Sequence, residues 1–365
     1  MHLRAKTTSD GCCRRLKAVR NELMEAGLDA YLATDVKNVY YLTGFLDIST
    51  ASLNMIIPSE GMPSLLVMPL SLEAASSQAR GCQVKTLASG ELMIGRILEE
   101  IRSAGLRRIG FDNLQLQTYL AMTKESGDVE LVNGSGIVAE QRRIKDSEER
   151  SFIRRASEIT DAGMEAALGA IRSGAKEYEV AGEAEYAMRM RGSMGAAFDT
   201  LVASGPRSAY PHGLSTEREI CDGDLVTVDL GATWKGYCSD LTRTVVVGKG
   251  QEKAFRMLRR VKEVHDRVLS EIRPGVEAAR VDEVARTVLG PGLAEYFVHG
   301  LGHGVGLDIH EAPTMSRTSK DILEAGNVVT DEPGVYVSGF GGVRTEDTVL
   351  VTENGCEKLT AAPYE

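Results

Sequence analysis

The chain lacks several things, and each absence removes a class of function. No stretch of its 365 residues approaches the length of an apolar membrane span, and the opening segment MHLRAKTTSDGCCRRL has no apolar core of signal-peptide length. The expectation is a soluble, cytoplasmic protein with no membrane partner. Positive charge is short: 42 Lys and Arg stand against 52 Asp and Glu, a formal net charge of −10, so nucleic acid is not an expected partner either. Paired CxxC spacing is also missing. The six cysteines (Cys12, Cys13, Cys82, Cys221, Cys238, Cys356) are scattered and read as reduced thiols, not as a zinc cluster or disulfide framework.

What is present is a chain long enough for two domains, with 43% apolar and 26% charged residues. Leu16, Val19, Leu23 and Ala26 recur at helical spacing before Gly27, which predicts a first helix from Arg14 to Ala26. Short β-prone runs follow at AYLAT (30–34), NVYYLTGF (38–45), NMIIP (54–58) and SLLVMPL (64–70). Helix-like segments near 91–104 and 114–124 bracket the run RRIGFD (107–112). Mixed elements in this order predict an α/β domain over residues 1–135. Its only histidine, His2, carries no functional expectation.

A polar segment from Gly134 to Glu149, ending in KDSEE, leads into the second domain, residues 136–365. Long helices are predicted from Phe152 to Ile171 and Tyr178 to Met190, and again from Lys253 to Ile272 and Val281 to Leu289. His265 falls in the third of these and is read as an exposed, functionally silent residue. This domain repeats itself. RSGAKEYEV (172–180) is echoed by RPGVEAARV (273–281), GDLVTVD (223–229) by GNVVTDE (326–332), and DLT (240–242) by EDT (346–348), in the same order and each roughly 100 residues later. The overall expectation is an α+β chain whose C-terminal domain is a duplicated unit.

The stretch GDLVTVDLGATWKGYCSDLTRT (223–244) reads as a hairpin bringing Asp229 and Asp240 together; its echo does the same for Glu332 and Glu346. Four carboxylates meeting at one point cannot all stay ionised without cations. Between the hairpins lies FVHGLGHGVGLDIHEAP (297–313). His299 and His303 have i, i+4 spacing, but the intervening glycines oppose a helix, and the run reads as an extended or looped segment. Its glycines do not fit the dinucleotide spacing. A histidine with four carboxylates is a mostly oxygen donor set, suited to manganese, cobalt or iron in a two-metal cluster more than to structural zinc.

At these residues the chain resembles the metal-dependent Xaa-Pro peptidases, prolidase and aminopeptidase P, of the pita-bread fold shared with methionine aminopeptidase and creatinase. The segment RLKAVRNELMEAGLDAYLATDVKNVYYLTGF resembles the N-terminal domain of creatinase-like enzymes, and the later motifs resemble the catalytic domain, an antiparallel sheet with flanking helices. The resemblance implies that VDLG and YCSDLTRT supply metal ligands Asp229 and Asp240, HGLGHGVG supplies His303, EPGVY supplies Glu332 and GVRTED supplies Glu346. Asp240 and Glu346 would bridge two divalent ions, manganese or cobalt favoured and iron or zinc as alternatives. Asp229 would hold one ion, and His303 with Glu332 the other. It further implies that Glu332 shuttles a proton, that His212 and His310 hydrogen-bond substrate and intermediate, and that His299 lines the proline-side pocket. Arg344, two residues before Glu346, is expected to orient that ligand. Asp331, in TDEPG, is a departure from the family pattern and is expected to point away from Glu332 by strand alternation.

The implied activity is hydrolysis of the bond preceding proline in Xaa-Pro dipeptides or at the N-terminus of short peptides, by a homodimer as is common in the family. Alternatives are a non-catalytic pita-bread scaffold, which loss of ligands would mark, or a methionine aminopeptidase-like or creatinase-like hydrolase.

Overall fold

The computed structural model describes residues 9–47 and 53–364. His2 lies outside them. The chain divides into two compact units, Met1–Arg142 and Arg143–Glu365.

In the first unit, six strands, β1 (Ala30–Ala33), β2 (Asn54–Pro58), β3 (Ser64–Val67), β4 (Gln83–Thr86), β5 (Arg108–Phe111) and β6 (Glu130–Asn133), form one mixed sheet in the order β4-β3-β2-β1-β5-β6. Helices α1 (Ser9–Glu25), α2 (Val36–Thr43), α3 (Leu72–Gln78), α4 (Met93–Ser103), α5 (Leu116–Glu125) and α6 (Gly136–Arg143) accompany it. Ile97, Leu98 and Ile101 of α4 and Met122 of α5 pack with Leu32, Ile56, Leu66 and Ile109 of the sheet. One expected strand is a helix. The run 38–45 is rich in β-branched and aromatic residues, yet Asp35 caps α2 by accepting from the Lys37 and Asn38 amides, and Gly44 closes it in the left-handed region, donating to Tyr40. Caps at both ends and burial of Val39 to Thr43 override the composition.

The second unit opens on α7 (Ser147–Ala170), whose start is a capping box: Asp146 accepts from the Glu148 and Glu149 amides while Glu149 accepts from the Asp146 amide. The polar KDSEE run is therefore a helix start. Then follow α8 (Glu177–Met190) and the antiparallel sheet β11-β8-β7, from β7 (Leu201–Ser204), β8 (Leu225–Leu230) and β11 (Leu241–Val246), with the small hairpin β9 (Thr233–Trp234) and β10 (Tyr237–Cys238) between the last two. The second half repeats the plan. Helices α9 (Glu252–Leu269) and α10 (Ala278–Leu289) precede β12 (Gly302–Gly304), β13 (Glu311–Met315), β14 (Val328–Asp331), β17 (Asp347–Val351) and β18 (Cys356–Lys358), in the order β13-β12-β14-β17-β18. A hairpin of β15 (Gly334–Val337) and β16 (Gly341–Arg344) stands between β14 and β17.

The duplication extends to backbone detail. Gly174 and Gly275 both have positive φ, and their amides donate to Ile220 and Leu323 carbonyls at the same 2.8 Å. Isolated antiparallel bridges Lys176–Glu219 and Glu277–Ile322 follow each. Each half also has its own core: Ile159, Val180, Val202 and Val228 in one, Val261, Val281, Val329 and Val349 in the other. The α+β class and the duplicated unit are as the sequence indicated.

His265 differs from expectation. It is 0% exposed. On α9 it lies four residues after Val261 and three before Val268, both fully buried, so helical spacing puts it within the apolar stripe. Among the described residues no helix is long and apolar enough to cross a membrane.

Candidate metal centre and catalytic cleft

The hairpins converge as the repeat requires. Asp229 is the penultimate residue of the buried strand β8, opposite Thr242 of β11, and Asp240 immediately precedes β11. Across the seam the contacts are reciprocal. The Asp240 amide donates to Thr348 Oγ1 at 3.0 Å, while Thr242 Oγ1 donates to Glu346 Oε2 at 2.6 Å, so the threonine of each DLT/EDT element serves the acid of the other. Glu332 follows β14, and its amide donates to the Leu301 carbonyl at 2.9 Å.

His303 arrives on β12. The glycine-rich run is extended here, and two of its glycines allow close approach: a Cβ on Gly302 would stand 2.2 Å from the Thr330 carbonyl oxygen, and one on Gly304 2.3 Å from that of Ala312. His303 is thereby laid against β14 with its amide donating to Thr330 Oγ1 at 3.0 Å. One ligand atom each from Asp240, His303 and Glu346 lie within 4.8 Å of one another. His303 Nε2 is 3.7 Å from Asp240 Oδ2 and 3.4 Å from Glu332 Oε1.

All nine residues singled out from the sequence, Asp229, Asp240, His303, Glu332, Glu346, His212, His299, His310 and Arg344, line one cavity of about 510 Å³. Apolar groups complete it, among them Phe198, Leu201, Pro211, Leu214 and Ile309. The His310 ring meets His303 edge-on, centroids 4.2 Å apart. His299 Nε2 is 2.9 Å from Tyr336 Oη, and its Nδ1 is 2.7 Å from the Gly300 carbonyl.

Arg344 has a different partner from the one expected. Its guanidinium pairs with Asp229, donates from Nε to Thr242 Oγ1 at 3.0 Å and from one terminal nitrogen to Tyr336 Oη at 2.8 Å. Glu346 is reached only through Thr242. Arg344 ends β16, so its side chain crosses the seam toward β8 instead of running along its own chain to residue 346. Tyr336 and Thr242 carry no expectation from sequence, although each stands inside a motif that does, Tyr336 in EPGVY and Thr242 in DLT.

The electrostatics are those of a site built for cations. Burial raises the pKa of Asp240, and Asp229 and Glu332 raise it further; burial and then Asp240 raise Glu346 in the same way. Glu332 is pushed up to about 8, by burial opposed in part by Arg344. The histidines go the other way. Burial takes His299 and His303 down to about 4, and burial with His212 nearby lowers His310. Neutral imidazoles are the form that ligates metal. Asp229 Oδ1 and Glu346 Oε1 are buried with no hydrogen-bond partner. Buried acceptors left unpaired, among carboxylates that oppose each other's ionisation, fit a divalent ion directly.

Comparison with known proteins agrees with this geometry. Residues 151–353 match metallopeptidase family M24, and residues 15–144 match the creatinase/prolidase N-terminal domain. The chain is 36% identical over 352 residues to the Xaa-Pro dipeptidase of Pyrococcus horikoshii, covering 96% of this chain and 98% of that one. It is similar in structure to the Xaa-Pro dipeptidase from Bacillus anthracis, with a TM-score of 0.92 at 37% identity over 97% of this chain and 99% of the other. An X-Pro aminopeptidase from Thermotoga maritima superposes with a TM-score of 0.86 at 31% identity, covering 93% and 97% respectively. The chain belongs to metallopeptidase family M24, with a creatinase/prolidase N-terminal domain, and is a metallopeptidase of the pita-bread fold.

Proposed function

We propose that the chain is a dinuclear-metal Xaa-Pro dipeptidase in which Asp229, Asp240, His303, Glu332 and Glu346 hold two divalent ions. The observation that carries the reading is the cluster of Asp240, His303 and Glu346, with both carboxylates buried and Asp229 Oδ1 and Glu346 Oε1 unpartnered. The oxygen-rich donor set favours manganese or cobalt. Bound ions would supply a hydroxide near neutral pH and polarise the scissile carbonyl.

The chain's own residues do the rest. Glu332, between His303 and His299 at 3.4 and 3.9 Å, accepts a proton and passes it to the leaving prolyl nitrogen. His212 and His310 face the cavity and hydrogen-bond the substrate carbonyl and the tetrahedral species. His299, fixed by Tyr336, lines the side that receives the proline. Arg344 holds Asp229 in place and, through Thr242, Glu346. Near-full-length similarity to dipeptidases supports Xaa-Pro dipeptides as substrates. Similarity to the Thermotoga aminopeptidase supports a second reading, removal of the first residue from longer Xaa-Pro peptides. Six free thiols are in keeping with a reducing compartment, and we place the enzyme in the cytoplasm.

The test is to strip the purified chain of metal, restore Mn²⁺ or Co²⁺, and assay an Xaa-Pro dipeptide beside an Xaa-Pro-Yaa tripeptide. The dipeptide should be the better substrate, and Asp240→Asn should lose at least about a thousandfold in kcat with reduced metal uptake. Preference for the tripeptide selects the second reading; full activity without metal, or in Asp240→Asn, overturns both.

A further inference from the structure

Behind the cleft lies a second buried ionic cluster that the reaction does not use. Asp331 and Asp347 stand directly opposite each other where β14 pairs with β17. Like charges facing across a ladder repel. Both are fully buried, and so is His265 of α9, whose ring enters between them: Nδ1 is 3.0 Å from Asp331 Oδ2 and Nε2 is 2.8 Å from Asp347 Oδ2. Two ionised carboxylates within ion-pair distance, one on each ring nitrogen, favour the doubly protonated, positively charged imidazole. Burial pushes its pKa down, but Asp331 and Asp347 more than offset this and hold it at about 9.

The two acids are not equally provided for. Asp347 also accepts from Arg243 (2.9 Å), Thr360 (2.7 Å), Lys358 (2.9 Å) and Tyr364 (2.9 Å). Asp331 has His265 as its one cation within ion-pair distance among the described residues. Position gives the cluster its meaning. Asp331 is followed by Glu332 and Asp347 is preceded by Glu346. Side chains alternate along a strand, so ties on the helix-facing side fix the backbone from which the two glutamates project into the cleft.

We propose that His265 is a positioning residue, a clamp between Asp331 and Asp347 that sets the separation of Glu332 and Glu346 and so the affinity of the site for its ions. The proposal rests on the metal reading above. It accounts for an acid in TDEPG that would otherwise be a buried charge with no purpose.

The test is calorimetric titration of the metal-stripped full-length chain with Mn²⁺, with melting temperature and steady-state kinetics measured on the same samples. The variants are His265→Gln, His265→Leu, the charge-balanced His265→Leu/Asp331→Val, and Val261→Ala as a stability control one turn away on α9. Because partners behind metal ligands change affinity by about 10–100-fold, His265→Leu and the double variant should each bind Mn²⁺ roughly tenfold more weakly. Their kcat should fall while KM holds. The double variant should do so with a melting temperature near wild type, since it leaves no acid without a cation. His265→Gln should recover part of the affinity, and Val261→Ala should melt lower with its affinity intact. Wild-type affinity in the folded double variant, or loss of affinity in Val261→Ala matching that in the His265 variants, overturns the clamp and leaves the metal reading standing. Failure of the wild-type chain to take up Mn²⁺ overturns both.

Discussion

At the scale of single residues, Arg344 shows how the cleft tolerates so many acids. Its guanidinium reaches Asp229, Tyr336 and Thr242 together and is buried. Burial disfavours its charge, yet Tyr336, Asp229, Glu346 and Glu332 hold its pKa well above the ordinary arginine value. Removing one partner of a buried pair leaves an uncompensated charge, which costs about 3–5 kcal/mol. Arg344→Met should therefore destabilise the metal-free chain by about 3 kcal/mol in urea denaturation, and Arg344→Lys should recover little of it, because a point charge cannot replace the fork. The motifs pointed to one place: all nine residues line the same cleft, since short motifs carry both residue type and spacing. Their partners were less legible in the sequence. That Arg344 serves Asp229 depends on which strand crosses the seam, a fact of tertiary packing that no local pattern contains.

At the scale of elements, two readings failed for different reasons. The strand expected at 38–45 is α2, because capping by Asp35 and Gly44 outweighs a β-prone composition. A polar residue on a helix is usually exposed, which is the expectation for His265 taken alone; its place between Val261 and Val268 carries the contrary signal. The long helices and the repeat were readable because periodicity and self-similarity integrate over many residues. Strand β12 is the element on which the site turns. Gly302→Ala would drive a methyl group into the Thr330 carbonyl and push β12 off β14, taking His303 with it. Overpacking of this kind costs about 1–3 kcal/mol. Expected outcomes are a lower melting temperature and at least a tenfold loss of dipeptide turnover that added metal does not restore.

At the scale of the whole molecule, the buried clamp gives stability a pH signature. His265 has a folded pKa of about 9, above the ordinary histidine value near 6.5, so its contribution is complete below about pH 6.5 and is lost as pH rises through about 9. The shift corresponds to about 3 kcal/mol. Unfolding free energies of the metal-free wild type and of His265→Leu/Asp331→Val, collected from pH 6 to 10 in steps, should be similar near neutral pH and separate across that window as the wild type falls by about that amount; curves that stay parallel would rule the clamp out as a source of pH dependence. The duplicated architecture carries a wider consequence. Each half of the second unit has a separate core, and the four site carboxylates are contributed two by each half. Without cations, the seam is where repulsion collects; with them, the same atoms become a latch between the halves. If the proposed ions bind there, metal supply in the cell would govern how long each copy of the enzyme survives proteolysis as well as how fast it turns over, with a starved chain expected to open first along its cleft.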